Sequence, residues 1–82
     1  MTMDAILAEV ARIIRDVLDN DDIVVTADTT AKTVPEWDSL TNVELVVAIE
    51  KFFKIRFASG EIQKFKNVGE MCAVIERRLP AA

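Results

Sequence analysis

Three separate stretches of this chain place apolar side chains at three- and four-residue intervals, the spacing that gathers them on one side of an α-helix. In the first, about residues 3–19, Met3, Leu7, Val10, Ile14 and Val17 form the stripe, and Ile6, Ile13 and Leu18 widen it. Arg12, Arg15, Asp16 and Asp19 fall largely outside it. In the second, Leu40, Val43, Val46, Val47, Ile49 and Phe53 recur through about residue 53. In the third, about residues 68–79, the stripe is Met71, Val74, Ile75 and Leu79, with Pro80 as the stop. With two glycines and two prolines in 82 residues, long regular elements are affordable and many tight turns are not.

The ends of these elements carry their own chemistry. Asp38 precedes the second stripe, and an Asp carboxylate can accept hydrogen bonds from the unpaired amides of a first helical turn. Asn67 followed by Glu70 has the spacing of a capping box, and Ser59 can cap a short helix over about Gly60–Phe65. Residues 20–37 are the longest weakly patterned stretch. Ile23-Val24-Val25 has strand-like composition, but three residues without a partner make no sheet, so they are expected to lay apolar side chains onto the bundle. Pro35 discourages helix at Val34. The expected fold is all-α: one domain over 1–82, a four-helix bundle of three longer helices and one short one, with a long loop between helices 1 and 2.

Charge narrows the function. The net charge is −4 and the pI is 4.7, a balance that opposes binding to nucleic acid, whose affinity comes from phosphate neutralisation. The balance is uneven: residues 1–38 hold nine acids and three bases, residues 39–82 five acids and seven bases. Histidine and tyrosine are absent, which removes the commonest acid–base residue near neutral pH. Cys72 is the single cysteine, so neither an internal disulfide nor a cysteine metal cluster can form. It is expected to be a small buried hydrophobe. Asp19, Asp21 and Asp28 lack the central glycine and terminal bidentate Glu of a calcium loop, so no metal site is expected. Arg77-Arg78 suits the end of a helix without needing a ligand. There is no bilayer-length apolar run and no signal-peptide start, so a cytoplasmic protein without membrane insertion is expected.

The segment Glu36-Trp37-Asp38-Ser39-Leu40-Thr41-Asn42-Val43-Glu44-Leu45 carries the most specific signal. Asp38-Ser39-Leu40 at a helix start, followed by Val43-Glu44-Leu45-Val46, resembles the acyl carrier protein family in register. The resemblance continues through Ile49-Glu50, Phe53, Ile55, Phe57 and Val68-Gly69. It implies that 4′-phosphopantetheine is attached covalently to Ser39 from coenzyme A by a phosphopantetheinyl transferase, with Asp38 beside it. The arm would carry acyl groups as thioesters, so the protein presents substrates to acyl-loading and acyl-processing enzymes and is not itself an enzyme. Those partners would serve fatty-acid, polyketide or related biosynthesis; the family also implies a monomer. Ser39 as a catalytic nucleophile is disfavoured on the residues alone, because it would need a base and nothing selects Lys32 or a carboxylate.

The same resemblance names two further sets. Asp38, Leu40, Val43, Glu44, Val47 and Glu50 match positions that meet partner enzymes; core packing and a solvated face are the competing readings. Val46, Ile49, Phe53, Ile62, Cys72 and Ile75 are candidates for lining an acyl pocket, against the simpler reading that they are core. The chain departs from the fatty-acid pattern at three places. Thr41 stands where an acid is usual, Trp37 replaces a small residue, and Lys51, Lys54 and Arg56 occupy positions usually acidic or polar. The lower part of the recognition surface should therefore be mixed or basic, which points to a specialised carrier. An aminoacyl or D-alanyl carrier shares the arm but not the loading enzyme, and an unmodified helical interaction module would keep only the shape.

Overall fold

A computed structural model describes residues 2–58, 61 and 65–79. Three α-helices span Met3–Val17 (α1), Ser39–Phe53 (α2) and Val68–Arg78 (α3), and no strand occurs among the described residues. Each begins at the kind of residue that can replace a missing intrahelical acceptor. Thr2 accepts the Ala5 N–H with its hydroxyl, Asp38 accepts that of Thr41, and Asn67 accepts that of Glu70. At Asn67 only the outgoing half of the expected capping box forms: the Glu70 amide is held, and no bond returns from the Glu70 side chain. The first helix stops at Val17, two residues before the expected end, because Asp19 takes a left-handed conformation (φ 53°) that breaks the helical path.

The α1 helix lies against both of the others. Its stripe supplies Ile6, Val10 and Ile14, all fully buried. They meet Leu45 and Ile49 of α2 and Val68, Cys72 and Ile75 of α3, which are equally covered. Each such branched side chain contributes about 1.5–3 kcal/mol on leaving water. The core is thus three helical faces meeting one another, but the expected α2 stripe is split: Val46, Ile49 and Phe53 turn inward beside Leu45, whereas Leu40, Val43 and Val47 stay exposed, as does Met3 of α1.

The long connection between α1 and α2 is more ordered than its sequence suggests. Ala31–Thr33 forms a short 3₁₀ turn, with Thr30 and Thr33 exchanging side-chain and backbone bonds at its start. This turn lies in the stretch expected to be irregular. The short helix expected over Gly60–Phe65, with Ser59 as its cap, falls largely outside the described residues, as does Pro80. The connection also sends Val34 into the core and packs Ile23 and Val25 part-buried against it. Val24, expected to join them, is instead 79% exposed, since three consecutive side chains cannot all face the same surface.

This loop clamps the start of α3. The carbonyls of Thr29 and Ala27 accept the N–H groups of Val68 and Gly69 at 2.9 and 2.8 Å. Those amides have no acceptor within their own helix. A Cβ on Gly69 would sit 3.0 Å from the Ala27 carbonyl oxygen, so glycine permits the loop to approach this closely. At the opposite end, α2 is closed by Lys54 in a left-handed conformation (φ 57°). The strap that follows is pinned twice. The Phe57 N–H donates to the Glu50 carboxylate at 2.9 Å, and Arg78 donates to the Arg56 carbonyl at 2.7 Å while pairing with Glu61 at 2.7 Å.

Candidate functional site

The start of α2 is built from a reciprocal cap. The Asp38 carboxylate accepts the Thr41 N–H at 2.9 Å, and the Thr41 hydroxyl accepts the Asp38 N–H at 2.8 Å. The proton of that hydroxyl faces the Glu36 and Asp38 carbonyls at 3.1 and 3.2 Å. Thr41 thus ties the approach to the helix to its first turn. The bond from the Thr41 amide is the main reason the Asp38 carboxyl is held below the usual aspartate range. Glu36 is held low in the same sense, chiefly by the Asn20 side-chain amide 2.6 Å away.

A second lock crosses over the serine. The Trp37 indole N–H donates to Asn42 Oδ1 at 3.0 Å, joining the residue two before Ser39 to the residue three after it. Between these two fixed points Ser39 is the first residue of α2, exposed, and its hydroxyl makes no hydrogen bond to a described residue. It stands at the positive end of the helix, where a phosphate ester is favoured by the dipole and by the leading amides.

A cavity of about 320 Å³ opens directly beside this hydroxyl. Trp37, Phe65, Met71 and Ala31 give it an apolar side. Thr29, Thr30, Asn42 and Asn67 contribute polar groups, while Lys66 is the cation of the lining and Asp38 the anion. The cavity therefore lies between the clamped loop, the start of α2 and the approach to α3.

The residues singled out from sequence fall into distinct places. Leu40, Val43 and Val47 are 70%, 61% and 43% exposed, so core packing does not account for them. Glu44 is exposed beside them; Glu50 is half-buried, with its carboxylate turned to the Phe57 amide. Ile49, Phe53, Cys72 and Ile75 belong to the packed core and Val46 is also buried, while Ile62 lies outside the described residues. None of the five described ones lines the cavity beside Ser39. The candidate pocket set is displaced from that cavity because the buried side of α2 turns toward α1, whereas the hollow forms at the helix's leading end. Burial pushes the Cys72 thiol up to about 11, which makes it inert in the folded protein.

Sequence reasoning missed Thr29, Asn42, Phe65 and Met71 as neighbours of Ser39. Asn42 offered a faint signal, one turn beyond a serine at a helix start. The cap pairing of Asp38 with Thr41 also escaped notice, because Thr stands where a capping box usually has Glu or Gln.

Comparison with known proteins agrees with this geometry. The family described as "Phosphopantetheine attachment site" matches residues 8–75. The acyl carrier protein of Phytoplasma mali (strain AT) is 38% identical over 42 residues, 51% of this chain; the match spans about half (50%) of that relative's length. The solution structure of holo acyl carrier protein from Geobacter metallireducens superposes with a TM-score of 0.83 at 42% identity, covering 89% of this chain and 84% of that one. A helical carrier fold with a phosphopantetheine site is the class these likenesses define. The chain belongs to the acyl carrier protein family. Its prosthetic group is 4′-phosphopantetheine. The residues present fit that group: an exposed hydroxyl at a helix start, with an amphipathic hollow next to it. Among the described residues no helix is long and apolar enough to cross a membrane, and no three metal-ligating side chains converge.

Proposed function

We propose that Ser39 is the attachment residue and that the protein carries acyl groups as thioesters between enzymes of fatty-acid, polyketide or related biosynthesis. The observation that carries this reading is the position of Ser39, exposed as the first residue of a capped helix, with its hydroxyl making no hydrogen bond among the described residues. Its oxygen forms the ester bond to phosphorus and gives up its proton, and the nucleotide part of coenzyme A departs. A phosphopantetheinyl transferase is the partner for that step. When bound, the group supplies a terminal thiol on which cargo is held as a thioester.

The chain's own residues then have separable tasks. Asp38 and Thr41 fix the direction of the helix start, so the ester oxygen has a defined origin. Trp37 and Asn42 hold one wall of the neighbouring hollow. Its amphipathic lining suits an arm that contains both amide and dimethyl groups. Asp38 lies within the same lining, so the ester forms beside a carboxylate as well as at the helix dipole. Leu40, Val43, Glu44 and Val47 form the surface that partner enzymes meet, working on a monomeric carrier. Three exposed large apolar side chains on one helix face are costly to leave in water and are suited to contact.

Intact-mass measurement after incubation with coenzyme A and a broad-specificity phosphopantetheinyl transferase tests the assignment. One phosphopantetheine increment is expected, and Ser39→Ala should abolish it. An increment that survives that substitution, or none in the unaltered protein, defeats the reading.

A further inference from the structure

A hollow at the far end of α2 is lined by Val47, Glu50, Lys51, Lys54, Ile55 and Arg56. Lys51, Lys54 and Arg56 are exposed, and none forms an ion pair among the described residues. Glu50, the one acid in the lining, directs its carboxylate at the Phe57 N–H. The hollow is therefore locally positive in a protein whose net charge is −4.

It is continuous with the surface near Ser39. At 100° per residue Ser39, Val43, Val47 and Lys51 fall within one face of α2, and Val47 belongs both to the exposed apolar stripe and to the hollow's rim. From Ser39 to Lys54 the helix advances about 22 Å. That distance exceeds the ~8 Å screening length at physiological salt, so Glu36 and Asp38 cannot neutralise the basic end. Lys54 adds a further mark: it keeps a charged side chain at a left-handed position that glycine would occupy more cheaply.

Resting on the carrier reading, we propose that this hollow is a second docking point, taking acidic side chains on the partner enzymes that receive the arm. The partner's complementary face would present apolar contacts opposite Leu40, Val43 and Val47, and carboxylates about 20 Å from the mouth that admits the arm. A protein surface can place a few carboxylates against three cations. An extended anionic surface, whether lipid headgroups or a nucleic-acid backbone, would also confront the excess acids elsewhere on the chain.

The test is an NMR titration of the full-length isotope-labelled protein with a short amphipathic leucine–glutamate peptide. Its counterpart with lysine replacing glutamate, anionic phospholipid vesicles and a single-stranded oligonucleotide serve as competing probes. The glutamate peptide should shift Val43, Val47, Lys51, Lys54 and Arg56 selectively. Its affinity should fall at least about tenfold at high salt and in K51Q/K54Q/R56Q. Lys54→Gly, which removes one charge while easing the backbone, should weaken binding without lowering the melting temperature. No selective shift, equal binding of the lysine peptide, equal binding by the triple variant, or a response to vesicles or oligonucleotide alone overturns the proposal. Mass measurement of Ser39 modification on the same samples keeps its failure separate from failure of the carrier reading.

Discussion

The two sides of α2 are built from similar side chains and meet different surroundings. Leu45 and Ile49 are fully buried against α1, whereas Leu40 and Val43 on the opposite side are 70% and 61% exposed. A helix needs one apolar side to join a bundle, so the second side is in excess of what folding requires. The buried side determines stability and the exposed side is available for recognition. The same division runs lengthwise, from the serine and its acidic cap at one end to a cluster of cations at the other.

The sharpest way to break this contrast is to cut into the buried side. Ile49→Ala should cost about 2–5 kcal/mol, read from urea unfolding, through lost burial and the cavity left behind. The same variant should expose Cys72 to alkylation, since the native thiol, raised to about 11, is scarcely ionised at neutral pH. If Ile49→Ala is as stable as the parent, the division of α2 is wrong.

A smaller loss is expected at the loop clamp. Gly69→Ala brings a methyl to 3.0 Å from the Ala27 carbonyl oxygen and 3.1 Å from the Ala27 Cβ. The net cost should be about 1 kcal/mol, because overpacking of ~1–3 kcal/mol is partly offset by alanine's higher helix propensity. A thermal melt measures it. On the exposed side, Leu40→Ala and Val43→Ala should each change stability by no more than about 0.5 kcal/mol. They should nevertheless reduce kcat/KM for modification by the transferase. A large stability loss with unchanged modification would reassign these side chains to the core.

The finest effect concerns pH. Asp38 has its folded-state pKa depressed, so its carboxylate stabilises the fold above the unfolded aspartate value and ceases to do so as pH falls through the folded one. Asp38→Asn retains a cap but not the charge. Melting temperatures of the two proteins should differ slightly near neutrality and converge in acid. A gap that widens in acid contradicts the assignment.

How much of this could be read beforehand depended on whether a signal was local. The α2 start was legible because Asp38 is a cap and the apolar spacing begins beside it. The α3 boundaries were legible from Asn67 and the stripe ending near Leu79. The cavity was not. It joins Thr29 and Thr30 from a loop, Trp37 and Asn42 from around the serine, and Phe65 and Met71 from the approach to α3. Periodicity within one element cannot report a hollow made by three. The fate of Val24 was likewise hidden, since composition says that a residue is apolar but not which way the loop turns it.

Trp37 has an optical consequence. It is the one tryptophan in a chain without tyrosine, and its indole walls the hollow next to Ser39 while holding Asn42. The protein thus contains an intrinsic fluorophore at the place where an arm would rest. Its emission colour and its accessibility to a soluble quencher should report, without any label, whether the arm lies in the hollow or swings clear.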